Sequence, residues 1–277
     1  MIFAKPLPFD EALDAAEVRS VLPTTGNTAD LRALDSAIKR RAMFSATETS
    51  ARALDAIGEG VRELLDGDND QASVRLRIKQ LRESMSYSPE PGKAGGLQDL
   101  SSTLRINLQL ETNVATAQGY GNYLQGQQAD VLAGNPAQEL FRAFGPSDSS
   151  DQRPWAERWA QAGGTFFGGR MIALKDDGVW SRLGDPALFD DGLGNPYPPY
   201  AFNSGMDVRD ISRADAVQLG LMAPGDEVTA DSLDFNTDLQ ASAATRNEWL
   251  RSAIEESGLG AFDSSGVLNF TPEGGES

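Results

Sequence analysis

The sequence predicts an α+β protein, mainly α: an N-terminal helical bundle, then a small irregular part with short β-hairpins, then an acidic tail. Three observations predict it. Apolar side chains recur at steps of three and four between residues 29 and 124, the period of a helix with one buried face. Glycine, proline and aromatic residues crowd the segment beyond residue 145, where chain direction must change often. Residues 225–277 carry 11 acidic against 2 basic residues, which marks an acidic tail. The implied organisation is an arm over residues 1–28, a helical domain over 29–145, an aromatic, Gly- and Pro-rich α+β part over 146–224, and an acidic region over 225–277.

The arm has Pro6, Pro8 and Pro23, a short amphipathic piece near Phe9 to Val21, and the turn Thr24-Thr-Gly-Asn27. It reads as an extension packed on its own domain or as one that clasps a neighbour. Leu31, Leu34 and Ile38, then Leu54, Ile57, Val61, Leu64 and Leu65, mark the first helical stretch, with Asp30 as its N-cap and a break expected around Ser45 to Ser50. Asp66-Gly-Asp-Asn-Asp70 has the spacing of a calcium loop, but position six is Gln71 and position twelve is Arg77, so it reads as a turn and an Asp cap. Residues 71–86 follow as a helix, with Val74, Ile78, Leu81 and Met85 on one face. Arg75, Lys79 and Arg82 lie on another, expected to be solvated, with contact to an acidic partner or DNA as the alternative. A Pro/Gly loop over 88–96 leads to a long helix from Leu97 to Leu124. Its buried side is read as Leu97, Leu100, Leu104, Leu108 and Ala115, and its end as Gly119-Tyr-Gly121.

Beyond residue 134 the pattern shortens. Gly145-Pro marks a turn, and Pro154 opens a helix that puts Trp155 and Trp159 on one face. Gly163 to Gly169 followed by Arg170–Leu174 reads as a hairpin. Residues 207–221 read as a helix, with Ser212 and Asp215 forming a capping box and Gly220 the stop. One more helix is expected from Leu239 to Glu256 with Trp249 and Ile254, and the end beyond Thr271 is expected to be disordered.

Composition excludes several chemistries. The chain has 277 residues, no cysteine and no histidine, so disulfides, thiolate sites and Ser-His-Asp machinery are impossible. A metal site would need oxygen ligands alone. Asp185, Asp190, Asp191 and the Asn195 loop could be gathered for calcium, but no defined spacing supports it, and no metal or cofactor is expected. The carboxylate pairs, such as Asp176-Asp177, follow from acidity alone. No phosphate loop and no nucleophile elbow occurs, so a non-enzyme is expected. The net charge of −17 argues against nucleic acid and anionic membranes as partners. No stretch is long enough to span a bilayer. The first ten residues lack the features of a signal peptide, so use in the cytoplasm, or in something assembled there, is expected.

The densest stretch is Asn195-Pro-Tyr-Pro-Pro-Tyr-Ala-Phe-Asn-Ser-Gly-Met-Asp-Val-Arg-Asp-Ile-Ser-Arg213. Proline bars it from a helix or central strand over its first half. It reads as a shaped loop that docks onto a partner, with Tyr197, Tyr200, Phe202, Arg209 and Arg213 as partner-binding residues, since tyrosine and arginine are enriched at hot spots. Asp207, Arg209, Asp210 and Arg213 equally read as an internal network fixing that loop. On the long helix, Arg105, Glu111 and Asn113 are expected to brace the bundle against it.

This segment, with Leu110-Glu-Thr-Asn113, Ala117-Gln-Gly-Tyr-Gly121 and Gly169-Arg-Met-Ile-Ala-Leu-Lys175, resembles the phage head-morphogenesis family, the minor head proteins related to the F protein of phage Mu. The resemblance covers roughly residues 35–221. It implies a structural minor capsid protein of a virion, associated with the portal or the major capsid protein near the capsid interior and made in the host cytoplasm. It also implies a part in DNA packaging or release. Many members carry Asn-Cys-Arg-Cys after the prolines, where this chain has Asn203-Ser-Gly-Met206, so no metal or redox role is carried over. An assembly scaffold that leaves before maturation is one alternative. An ADP-ribosyltransferase toxin is another, although the C-terminal part lacks a Glu-x-Glu pair. Homo-oligomerisation is left open.

Overall fold

The computed structural model describes residues 9–17, 19–143, 153–201, 204–231, 240–242 and 248–271. It is α+β and mainly helical. The chain divides into two compact units, Met1–Gln118 with Phe235–Ser277, and Gly119–Asp234. Packing therefore divides the chain inside its longest helix, and not at residues 28, 145 and 224.

The first unit starts with α1 (Asp10–Glu17), which buries Ala12 and Ala15. Strand β1 (Ser20–Val21) pairs in parallel with β2 (Ala42–Met43), so the described part of the N-terminal arm is built into its own unit. Between them lie α2 (Thr28–Arg32) and α3 (Ser36–Arg41). The N-cap of α2 is Asn27, whose side chain accepts from the N–H groups of Ala29 and Asp30, while Asp30 accepts from the Asn27 N–H. Asp30 thus sits at the third helical position of a capping box and is not the cap. Helix α4 (Ala51–Asp66) is capped by Ser50 and buries Leu54, Ile57, Val61 and Leu65, the stripe read from sequence. Gly67 ends it at φ 76°, a left-handed conformation that favours glycine. Asp70 then caps α5 (Gln71–Ser84).

Helix α5 buries Val74 and Ile78 as expected, but also Arg82. That arginine is not part of a solvated face: its guanidinium meets the buried carboxylate of Glu48. Helix α6 (Thr103–Gly126) lies antiparallel to α5, tied by Lys79 to Thr103 at 2.8 Å, Arg75 to Asn107 at 3.1 Å and Gln71 to Glu111 at 2.9 Å. It buries Ile106, Leu110 and Ala117, whereas Leu97 and Leu104 are exposed. The stripe expected over Leu97–Ala115 is therefore corrected. Two apolar stripes run along this helix at helical spacing, and periodicity alone cannot choose between them. Nor does α6 stop at Gly119-Tyr-Gly121, since it continues to Gly126.

The second unit adds α7 (Ala129–Gly134), β3 (Ala137–Arg142), α8 (Trp155–Gln161), β4 (Phe166–Phe167), β5 (Arg170–Leu174), α9 (Val179–Leu183), β6 (Met206–Ile211) and α10 (Arg213–Gln218). The strands form one antiparallel sheet in the order β4-β5-β3-β6. Leu140, Ala173 and Met206 pack with Trp155, Trp159, Trp180 and Tyr200 in one cluster. Ala137, Ile172 and Ile211 pack with Ala216 and Met222 in another. The β4–β5 hairpin and the Pro154–Trp155 helix start match the sequence reading. Residues 207–221 do not: only α10 is helical, and Met206–Ile211 is a strand. The Ser212 cap was legible, with its hydroxyl accepting from the Asp215 N–H at 3.2 Å.

The chain then re-enters the first unit. It forms β7 (Gln240–Ser242), α11 (Glu248–Glu256), β8 (Gly260–Phe262) and β9 (Val267–Phe270), with strands in the antiparallel order β7-β9-β8. Leu250, Ile254, Leu259, Leu268 and Phe270 join Leu22, Leu31, Leu34 and Ile38 in one core cluster. Part of the acidic region, within residues 250–270, is therefore core-forming. Within the helix expected from Leu239 to Glu256, Gln240–Ser242 is strand and Glu248–Glu256 is helix, while Leu239 and residues 243–247 lie outside the described residues. Gly145-Pro, Phe202, Asn203 and the terminal residues 272–277 lie outside the described residues.

Candidate functional site

Strand β3 carries the charged centre of the second unit. Glu139 accepts from Arg170 Nε at 2.9 Å and from Arg209 Nε at 2.7 Å. The Arg170 hydrogen bond in particular holds the Glu139 carboxyl below the usual carboxylate range, and the same bond raises Arg170. The Arg209 guanidinium also lies 5.3 Å from the centre of the Phe141 ring, with its side chain 57% exposed. Next along β6, Asp210 receives Lys175 at 2.8 Å; the lysine side chain is 2% exposed and the carboxylate 48%. Arg213 donates to the carbonyls of Ala133 and Asp226 at 2.6 and 2.8 Å. Asp207 accepts from the adjacent Val208 N–H at 2.8 Å, and burial pushes its carboxyl up. All four of Asp207, Arg209, Asp210 and Arg213 are thus engaged with the unit's own residues, through partners that lie outside the Tyr-Pro-Pro loop.

The Tyr-Pro-Pro loop is held from inside. The Tyr197 ring centre lies 5.6 Å from that of Tyr120 and 5.4 Å from that of Tyr123, both on α6. A Cβ on Gly119 would stand 1.7 Å from the Pro198 carbonyl oxygen, so the absence of a side chain there lets loop and helix touch. The Pro198–Pro199 bond is cis. The Tyr200 carbonyl accepts from Leu193 N–H at 3.1 Å, and its ring lies in the tryptophan cluster. Tyr197 is 3% exposed and Tyr200 0%, so the reading of these two rings as a docking surface is corrected: both are core. Prolines prevent regular structure, but they do not prevent the rings between them from packing inward. Of the sequence-inferred partner-binding residues, Arg209 is exposed and Arg213 half-buried, while Phe202 lies outside the described residues.

Beside the loop the second unit encloses a polar cleft of about 430 Å³. Asn122 and Tyr123 on α6 form one wall, Asn135 and Gln138 around the start of β3 another, and Lys175, Asp207 and Asp210 a third. Tyr197 and Pro198 also line it. Sequence reasoning missed Lys175, Asn122, Asn135 and Gln138. The only signal was a lysine ending the apolar run Met171–Leu174, too common a pattern to single out.

Other sequence candidates fall elsewhere. Asp191 is paired with Arg158 at 2.6 Å and Arg153 at 3.1 Å, and Asp185 accepts from the Ala187 N–H. Among the described residues no group of three or more Asp or Glu is gathered to hold a metal. In the first unit Arg105 donates to Ser45 and to the Ala46 carbonyl, Glu111 accepts from Gln71, and Asn113 accepts from Arg19. The partners these three meet all belong to the first unit. No helix among the described residues is long and apolar enough to cross a membrane. No family model, curated protein or solved structure matches this chain.

Proposed function

We propose that this chain is a structural minor head protein of a tailed phage or prophage. It docks on the portal or inner capsid and assists head assembly, DNA packaging or release. The reading rests on the ordered segments that resemble the head-morphogenesis family. One observation carries it further: segments some 80 residues apart in sequence, ending in Gly119-Tyr-Gly121 and beginning at Tyr197, pack on each other within one unit through Gly119 and Pro198. A shared resemblance in segments that also share a packing contact fits one inherited module better than chance similarity of loops. The charge of −17 supports a protein partner over DNA, because like charges repel. With Tyr197 and Tyr200 buried, the docking role passes to the exposed Arg209 and its neighbours on β6.

The test is co-expression with the portal protein of the same genome, followed by affinity capture and sizing. Co-elution weakened by Arg209→Ala supports the reading. Absence of this chain from both procapsids and mature particles overturns it. Presence in procapsids alone would favour the scaffold reading.

A further inference from the structure

Strand β6 is an open edge of its sheet among the described residues, since the order β4-β5-β3-β6 leaves β3 on one side only. The register shows which backbone groups face that edge. Ala143 N–H donates to the Gly205 carbonyl at 2.9 Å, so Ala143 and Gly205 form a hydrogen-bonded pair. By the alternation of an antiparallel ladder, Asp207, Arg209 and Ile211 also bond to β3, while Met206, Val208 and Asp210 turn their N–H and C=O groups outward. Side chains occupy two of these outward donors: Ser204 Oγ accepts from Met206 N–H at 3.3 Å, and Asp207 Oδ1 from Val208 N–H at 2.8 Å. The Asp210 N–H and the outward carbonyls have no partner among the described residues. Val208 and Asp210 line the cleft, so space and not another described element lies beside them. The strand pairs with β3 without a bulge and contains no proline, two devices that stop sheet edges from pairing elsewhere.

We propose that β6 pairs antiparallel with β6 of a second copy of this chain, joining the two sheets edge to edge across a two-fold axis at Val208. A two-fold interface needs a self-complementary patch, and the charge order of this strand supplies one. With Val208 opposite the partner's Val208, Met206 lies opposite the partner's Asp210 and Asp207 opposite the partner's Arg209. The outward N–H and C=O groups of Met206, Val208 and Asp210 then all find backbone partners. Asp207 and the partner's Arg209 form a pair without backbone bonds, where Cα atoms stand about 4.5 Å apart and side chains are closest. Opposite charges stabilise such a pair and like charges destabilise it. Sliding by two residues either way, the smallest step that keeps the outward groups facing, sets Asp207 against the partner's Asp207 or Arg209 against the partner's Arg209. Charge therefore selects the register. Arg209 keeps its bond to Glu139 and, at 57% exposure, has N–H groups left for a second carboxylate. Asp207 gains a cation in place of the Val208 N–H, which passes to the partner's Val208 carbonyl. A chain of net charge −17 repels its own copy, which favours contact where the signs alternate. The proposal goes beyond the head-protein reading and does not depend on it.

Sedimentation velocity of the purified full chain over a range of concentrations tests it without any portal protein. The mass should rise from 29.6 kDa towards twice that value, and a monomer at every concentration overturns the proposal. Asp207→Lys sets a lysine against the partner's Arg209, and Arg209→Glu sets a glutamate against the partner's Asp207. Each variant alone should dimerise about tenfold or more weakly. Mixed together, the two restore opposite charges at both pairs and should dimerise like the unaltered chain, a recovery that misfolding cannot produce. Undiminished dimers of either variant alone, or folded variants that stay monomeric when mixed, overturn β6 as the interface. Val208→Cys, a single thiol in a chain without cysteine, reads the register independently of these charges. It should give a disulfide-linked dimer under mild oxidation, because Cα atoms of such a hydrogen-bonded pair stand about 5.5 Å apart. Leu188→Cys, exposed on the same unit, should not. Failure of Val208→Cys to cross-link, or equal cross-linking of the two, overturns the pairing.

Discussion

At the scale of single residues, both units bury paired charges. In the first, Arg82 and Glu48 are withdrawn from water together. Removing one partner leaves the other charge buried, so Arg82→Ala should cost about 3–5 kcal/mol in urea unfolding. Replacing both, as Arg82→Met with Glu48→Leu, should recover most of that loss. In the second unit two carboxyls are shifted in opposite directions. The depressed Glu139 carboxyl contributes stability above its unfolded pKa, and this is lost as pH falls through the folded pKa. Glu139→Gln should therefore lower the melting temperature at neutral pH, with the deficit closing under acid. Asp207 has the opposite sign: its raised pKa favours folding at low pH, and that benefit is lost as pH rises through the folded value. Asp207→Asn should raise the melting temperature at pH 7 and leave it unchanged in acid. Melting curves of both variants across pH check the two signs. None of these partners was legible from the sequence. Glu48 and Arg82, like Glu139 and Arg209, are far apart along the chain, and nothing local distinguishes a paired charge from a solvated one.

Elements were more legible, because caps and turns are local chemistry. Asp70 and Ser212 cap helices as read, and Ser50 caps α4 where only a break was expected. Where the sequence reading failed, a tertiary neighbour decided. Helix α6 has two apolar stripes, and the polar ladder to α5 fixes the helix so that Ile106, Leu110 and Ala117 turn inward. Strand β6 was read as helix because its hydrogen bonds go to β3 rather than along its own backbone. Gly119 looked like a helix stop and is instead a close-approach site. Gly119→Ala should destabilise the second unit by about 1–3 kcal/mol or more, the cost of forcing backbone atoms apart. Gly134→Ala, with nothing within 4 Å of its added Cβ, should be neutral or stabilising by about 0.4–1 kcal/mol. Chemical denaturation of the pair separates close contact from mere helix propensity.

For the whole molecule, the first unit is discontinuous in sequence and the second continuous. Five side chains of residues 250–270 sit in the core of the first. Each contributes about 1.5–3 kcal/mol on burial, and a domain's net stability is about 5–15 kcal/mol. Truncation after Asp234 should therefore abolish cooperative unfolding of the first unit, read as loss of its transition in calorimetry. The sequence by itself determined the α+β class and the absence of cysteine and histidine chemistry. It also determined the net charge of −17 and the caps at Asp70 and Ser212, because composition and capping act within a few residues. Only the tertiary structure decided that the acidic C-terminal region completes a distant core, that Tyr197 and Tyr200 face inward, and that Lys175, Asp210 and three carboxamides line one cleft. Those outcomes depend on which surfaces exclude water from each other, a property of contacts between residues tens to hundreds of positions apart.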